Sequence, residues 1–203
     1  MTVRKSDELP PTFRPADRHR GFTLLEIAIT VAILAVVLAA ALPSLTGLVN
    51  GGRLTANANE MLGALQSARV ESVRRGQRIV VCPSANGTAC AANWSAGWIV
   101  FEDRDRDSNL DGNETVINSG TITPTVTVLV SPAISGSNPT NRIVFNPDGF
   151  ARSAGNVLTA RVAICNPTTR PADNVRDIRI SAGSRVSITR RNGAGACAAI
   201  ANT

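Results

Sequence analysis

The chain has 203 residues, with 21 Lys and Arg against 15 Asp and Glu, a net charge of +6, one histidine and no tyrosine. That single histidine, His19, lies near the N-terminus, so the body of the chain lacks the residue on which Ser-His-Asp, Cys-His and His-Glu-x-x-His chemistry depends. With no phosphate-cradling glycine loop either, nothing in the sequence points to an enzyme or to a bound cofactor.

Residues 1–20 (MTVRKSDELPPTFRPADRHR) contain three prolines and little apolar content, and they carry five basic residues against three acidic ones. They read as a disordered leader. Behind them, Gly21-Phe22-Thr23-Leu24-Leu25-Glu26 opens an apolar run to Leu42 in which Thr23, Glu26 and Thr30 are the only polar side chains. About 20 such residues in a helix span a bilayer's hydrocarbon core. The basic excess ahead of the run places its start in the cytoplasm and the remainder outside. Inside the run sits one carboxylate, Glu26, which in lipid costs roughly 2.5 to 3.5 kcal/mol unless a cation pairs with it.

The string GFTLLEIAITVAILAVVLAAALP resembles the N-terminal signature of type IV pilins and pseudopilins. The resemblance implies cleavage between Gly21 and Phe22 by a prepilin peptidase, followed by methylation of the Phe22 amino group. It also implies that Glu26 pairs with the ammonium of a neighbouring Phe22 as subunits stack into a filament. The chain then divides into a cleaved leader (1–21), a single-pass inner-membrane helix (22–43), an amphipathic helix continuing it (44–76) and a periplasmic domain (77–203). Its implied partners are other pilins or pseudopilins, the peptidase, the inner membrane and an assembly platform.

Loss of the leader leaves 16 basic against 12 acidic residues, a net +4, and every remaining cation is an arginine because Lys5 is the sole lysine. Past Pro43, apolar residues at Leu54, Ala58, Met61, Leu62, Leu65, Ala68 and Val73 recur at three- and four-residue spacing. That period predicts a helix laying one stripe on a folded domain. Pro43, Gly47, Gly51 and Gly52 are weak helix formers and predict a bend or local melting between the two helical halves. Arg74-Arg75-Gly76 supplies cations and a glycine stop at the helix end.

Short β-branched runs follow: Arg78 to Cys82, Gly97 to Phe101, Thr115 to Asn118, Thr125 to Val130, Arg142 to Phe145, Leu158 to Cys165, Val175 to Ser181 and Arg185 to Thr189. Bounded by Gly, Pro, Asn and Asp clusters, they predict antiparallel sheet packed on the helix stripe, an α+β fold. Ser131 to Asn141 is the most loop-like stretch. Trp94 and Trp98 suit core packing at a strand end. The four cysteines, Cys82, Cys90, Cys165 and Cys197, lie in an exported segment and suit disulfides, with three pairings open. Cys82–Cys90, closing a short loop, with Cys165–Cys197, tethering the tail, is the preferred set. Zinc is disfavoured by the absence of a Cys-x-x-Cys knuckle.

RIVVCPSANGTAC, then NWSAGWIVFEDRDRDSNLDGNETVI, IVFNPDGFARSAG and a cysteine near the end resemble the GspH/FimT branch of minor pilins and pseudopilins. Fold and function expected on that basis are a type IV pilin-like structural subunit of a type II secretion pseudopilus or a type IV pilus. Two local charge features remain. The loop Asp103 to Glu114 places Asp103, Asp105, Asp107, Asn109, Asp111 and Glu114 at positions 1, 3, 5, 7, 9 and 12 of a calcium loop. Ser108 where a glycine is wanted, flanking strands, and Arg104 and Arg106 in the gaps favour a solvated turn instead. From Arg142 onward nine arginines face three aspartates, and Arg185, Arg190 and Arg191 lie close together. These three are the candidate contacts for DNA phosphates, the alternative function being DNA uptake. Gly183-Ser184-Arg185 matches only loosely the Gly-Arg-x-Arg motif of FimT-like proteins, and no tyrosine is present to stack on bases.

Overall fold

The computed structural model describes residues 21–137 and 139–202, with the side chains of residues 40 and 42–44 left aside. The expected leader, apart from Gly21, lies outside the described residues. The chain divides into two compact units, Met1–Ala41 and Leu42–Thr203. Helix α1 (Leu24–Arg75) begins in the first, and its later turns belong to the second. In the first unit every side chain over residues 21–39 is exposed, Leu24 at 88%. Among the described residues no helix is long and apolar enough to cross a membrane.

In the second unit α1 buries Leu54, Ala58, Met61, Ala64, Leu65 and Ala68, all at most 1% exposed. Val73, assigned to the same stripe by spacing, is exposed, because the buried stripe passes from Ala68 to Ser72 and Val73 lies one residue beyond it. The expected melting is absent: α1 is helical through Pro43, Gly47, Gly51 and Gly52. Two of these glycines face a neighbour. A Cβ at Gly47 would rest 3.7 Å from Cβ of Arg170, and one at Gly51 would rest 3.7 Å from Cγ of Pro171. Between them Nδ2 of Asn50 donates to the Arg170 carbonyl at 3.1 Å. A loop packs on the helix at these glycines, and that tertiary contact outweighs their weak propensity.

Among the described residues ten strands form two antiparallel sheets. The first has the order β3 (Val116–Thr121), β2 (Gly97–Asp103), β1 (Arg78–Pro83), β5 (Ile143–Phe145), β6 (Ala151–Ser153) and β7 (Asn156–Val157). The second has the order β10 (Val186–Arg191), β9 (Val175–Ile180), β8 (Ala160–Cys165) and β4 (Thr127–Val130). β6 and β7 escape the sequence reading because they are three and two residues long. Their turn requires positive φ at both Ala154 and Gly155, the mark of a tight hairpin. The stretch expected to be most loop-like holds a single helical turn, α2 (Pro132–Ser135), started by its proline and ended at Gly136.

Both sheets share the helix stripe. Leu54, Met61 and Leu65 belong to one cluster with Ile79, Val81, Trp98, Val100 and Phe145 of the first sheet and Val162, Ile164, Ile178 and Ile180 of the second. The outer faces are covered too. Val80, Cys82, Ile99 and Phe101 pack beneath Cys90 and Leu110, and Ala163, Cys165 and Val175 pack with Ile200 and Cys197 of the tail. Burial on both faces explains why IVV and WIVF read as unbroken apolar runs rather than alternating ones. Each cover is bonded to its sheet, by Cys82–Cys90 on one and Cys165–Cys197 on the other.

Candidate functional site

Gly21, Phe22 and Thr23 precede the helix in non-helical backbone. Thr23 caps α1: its Oγ1 accepts from the Glu26 amide at 3.2 Å and its carbonyl accepts from the Ile27 amide at 3.2 Å. Thr23-x-x-Glu26 is therefore an N-cap, a signal present in the sequence and readable as such. The Gly21–Phe22 bond lies one residue ahead of the cap, with Phe22 77% exposed. Glu26 lies in the first helical turn, where the helix dipole favours a carboxylate. Among the described residues no ion pair or side-chain hydrogen bond engages that carboxylate.

The acidic loop brings together three of its six candidate ligands. One carboxylate oxygen each from Asp103, Asp105 and Glu114 lies within 4.8 Å of the others. β2 ends at Asp103 and the Glu102 amide donates to the Thr115 carbonyl at 3.1 Å, so strand pairing sets the two ends of the loop side by side. Asp107, Asn109 and Asp111 do not join them. Asp107 Oδ1 accepts the Asn109 amide at 2.7 Å, Asn109 Oδ1 accepts from Arg142 at 3.3 Å, and Asp111 Oδ1 accepts the Asn113 amide at 3.1 Å. The hydrogen bond from Asn109 holds the Asp107 carboxyl below its usual range. Burial, opposed by the Arg104 and Asp111 amides, pushes the Glu114 carboxyl up.

Asp103 is 1% exposed. Its Oδ2 accepts from Ser108 Oγ at 3.3 Å and meets Nη2 of Arg78 at 3.2 Å. Its Oδ1 is buried without a hydrogen-bond partner. Ser108 takes φ 64°, the left-handed conformation for which the sequence pattern wants glycine. Its buried hydroxyl, bonded to Asp103 and Arg78, holds it there. The gap arginines point elsewhere: Nε of Arg104 pairs with Glu102 at 3.3 Å, and Arg106 is exposed.

The three arginines of the last third do not form one patch. Arg190 and Arg191 are consecutive on β10 and so face opposite sides of the sheet. Arg191 is taken by Asp177, Nε to Oδ2 at 2.7 Å, a pairing that holds its guanidinium charged. Arg190 sits across from Arg176 on the other face. Arg185, exposed before β10, shares a groove with Arg69, Val70 and Val73 of α1.

A capped helix carrying one acid in its first turn, followed by a helix stripe on antiparallel sheets, is a type IV pilin-like arrangement. Residues 17–42 match the prokaryotic N-terminal methylation motif, and residues 57–184 match the model of type II transport protein GspH. The chain belongs to the GspH family, a family of structural pilin and pseudopilin proteins. Among solved structures it is similar to the type IV minor pilin FimU of Pseudomonas aeruginosa, at 17% identity over 67% of this chain and 92% of that one, with a TM-score of 0.47. It is also similar to the minor pseudopilin EpsH of the Vibrio cholerae type 2 secretion system, at 10% identity over 68% and 97%, with a TM-score of 0.47. No curated protein sequence matches the chain.

Proposed function

We propose that the chain is a minor subunit of a type II secretion pseudopilus or a type IV pilus, held in the inner membrane by its N-terminal helix until it is assembled. In this reading prepilin peptidase cuts between Gly21 and Phe22 and methylates Phe22, and the assembly platform then moves the subunit into the filament. The domain from residue 77 lies in the periplasm before that step. The observation that carries the reading is the Glu26 carboxylate, unengaged among the described residues, on a stretch of helix whose apolar side chains are exposed through residue 39. Such a surface needs lipid or neighbouring helices to cover it, and a carboxylate covered in that way needs a cation. The new ammonium at Phe22 of an adjacent subunit is a cation at the same depth.

DNA capture is the weaker alternative, since Arg191 is neutralised within the domain and Arg190 faces away from it. The test of the main reading uses the native host. Mass spectrometry is expected to find a mature chain starting at methylated Phe22, and Glu26→Ala is expected to be processed and membrane-held but missing from filaments. An intact N-terminus, or normal incorporation of that variant, would refute it. Deletion separates the two machines: a secretion defect identifies the pseudopilus, and a loss of surface pili identifies the pilus.

A further inference from the structure

We propose that Asp103, Asp105 and Glu114 form a calcium site that ties the end of β2 to the start of β3. The three ligand atoms lie within 4.8 Å of one another. Two oxygens that share one calcium ion at about 2.3 to 2.6 Å each are at most about 5 Å apart, so the spacing of the three suits a single ion. The donors are all carboxylate oxygens, hard ligands that suit calcium and leave zinc or copper without nitrogen or sulfur.

The acids alone would not make a site, but the Asp103 side chain adds a second observation. One of its oxygens is satisfied by Ser108 and Arg78, and the other is buried with no donor. A buried carboxylate oxygen without a partner is rare in native proteins and calls for a cation or donor. Asp103 sits at the inner wall, Asp105 at the exposed rim and Glu114 half-buried between, so water completes the coordination from outside. Glu114 is already oriented, its two oxygens accepting the Arg104 amide at 2.8 Å and the Asp111 amide at 3.4 Å.

Two objections raised by the sequence fall away, because Ser108 makes the left-handed turn and the Arg104 guanidinium is held by Glu102. The third stands and reshapes the site: strands flank the loop, so it contributes three ligands rather than six. With few ligands, and with Arg78 beside one of them, the site belongs with the weak extracellular calcium modules, at a Kd of about 0.1 to 1 mM.

The experiment is isothermal titration of calcium chloride into the processed full-length chain, stripped of metal, in detergent micelles. One site in that range is expected, with a rise in thermal unfolding midpoint that a chelator reverses. Asp105→Asn and Glu114→Gln, which leave the Arg78–Asp103 pair in place, should each weaken binding at least about tenfold, and Asp107→Asn should leave it unchanged. No binding up to about 10 mM calcium, retention in both ligand variants, equal binding of magnesium chloride, or loss in Asp107→Asn would each overturn the assignment. Circular dichroism separates a folded variant that has lost the ion from one that has lost its structure.

Discussion

Arg78 and Asp103 are register partners on the last rung of the β1–β2 ladder, and their side chains meet there at 3.2 Å with the Asp103 carboxylate wholly out of solvent. The same guanidinium donates to the Arg106 carbonyl at 2.9 Å and to Ser108 Oγ at 2.7 Å, so one side chain organises the first half of the acidic loop. Arg78→Ala leaves a buried, unpaired carboxylate, and the expected loss is about 3 kcal/mol of stability, read as a lower urea midpoint. An unchanged midpoint would show that water reaches Asp103.

The two disulfides are expected to differ in weight. Cys165–Cys197 closes a separation of 32 residues and Cys82–Cys90 one of 8. By loop entropy alone, replacing the first pair with alanine costs about 3 to 4 kcal/mol and the second about 2 to 3 kcal/mol. Thermal unfolding of the two double-alanine variants checks the order, and the first should also free Ile200 from the outer face of its sheet.

Two glycines predict opposite outcomes. Gly47→Ala fills a 3.7 Å contact with Arg170 and improves helix propensity, so a gain of about 0.5 to 1 kcal/mol is expected. Gly120→Ala drives a methyl into the buried Trp98 ring and against Oε1 of Glu60, and a loss of about 2 kcal/mol or more is expected. Chemical denaturation of both variants decides. A destabilising Gly47→Ala would mean that the loop approaches more closely than 3.7 Å allows.

Acid should weaken the domain through two surface pairs. Arg74 and Arg75 hold the Glu71 carboxyl below its usual range, and Arg152 with the Phe150 amide does the same for Asp148. A carboxyl depressed in the folded state contributes stability that is full above the ordinary carboxylate range and disappears as pH falls through it. The unfolding midpoint should therefore drop between about pH 5 and about pH 3, and a Glu71→Gln, Asp148→Asn double variant should drop less. Both pairs reach solvent, so the effect is small.

For DNA, the geometry predicts a negative result. The processed chain should leave a short duplex unretarded in a gel at about 0.15 M salt, where scattered arginines are screened. The Arg185, Arg190, Arg191 triple-alanine variant should behave identically. Salt-sensitive retardation abolished in that variant would restore DNA capture as the function.

The N-terminal signature is legible through its resemblance to type IV pilins, and the helix stripe from Leu54 to Ala68 and the strands around RIVVC, GWIVF and ARVAIC are legible from composition and period, because each depends on neighbours within a few residues. The reading of Trp94 and Trp98 as core belongs with them, both at 3% exposure or less. Where a pattern had no length to repeat in, as in β6, β7 and α2, nothing was legible.

Other decisions belong to contacts between residues far apart in the chain. Strand register selects Asp103, Asp105 and Glu114 from six candidate ligands, and the pleat of β10 parts Arg190 from Arg191. The loop at Arg170 turns two supposed helix breakers into a packing surface. Whether a strand is covered on one face or both depends on where the disulfide-bound segments lie, and periodicity carries no record of that, since it reports a residue's own side of an element and not what comes to rest against it.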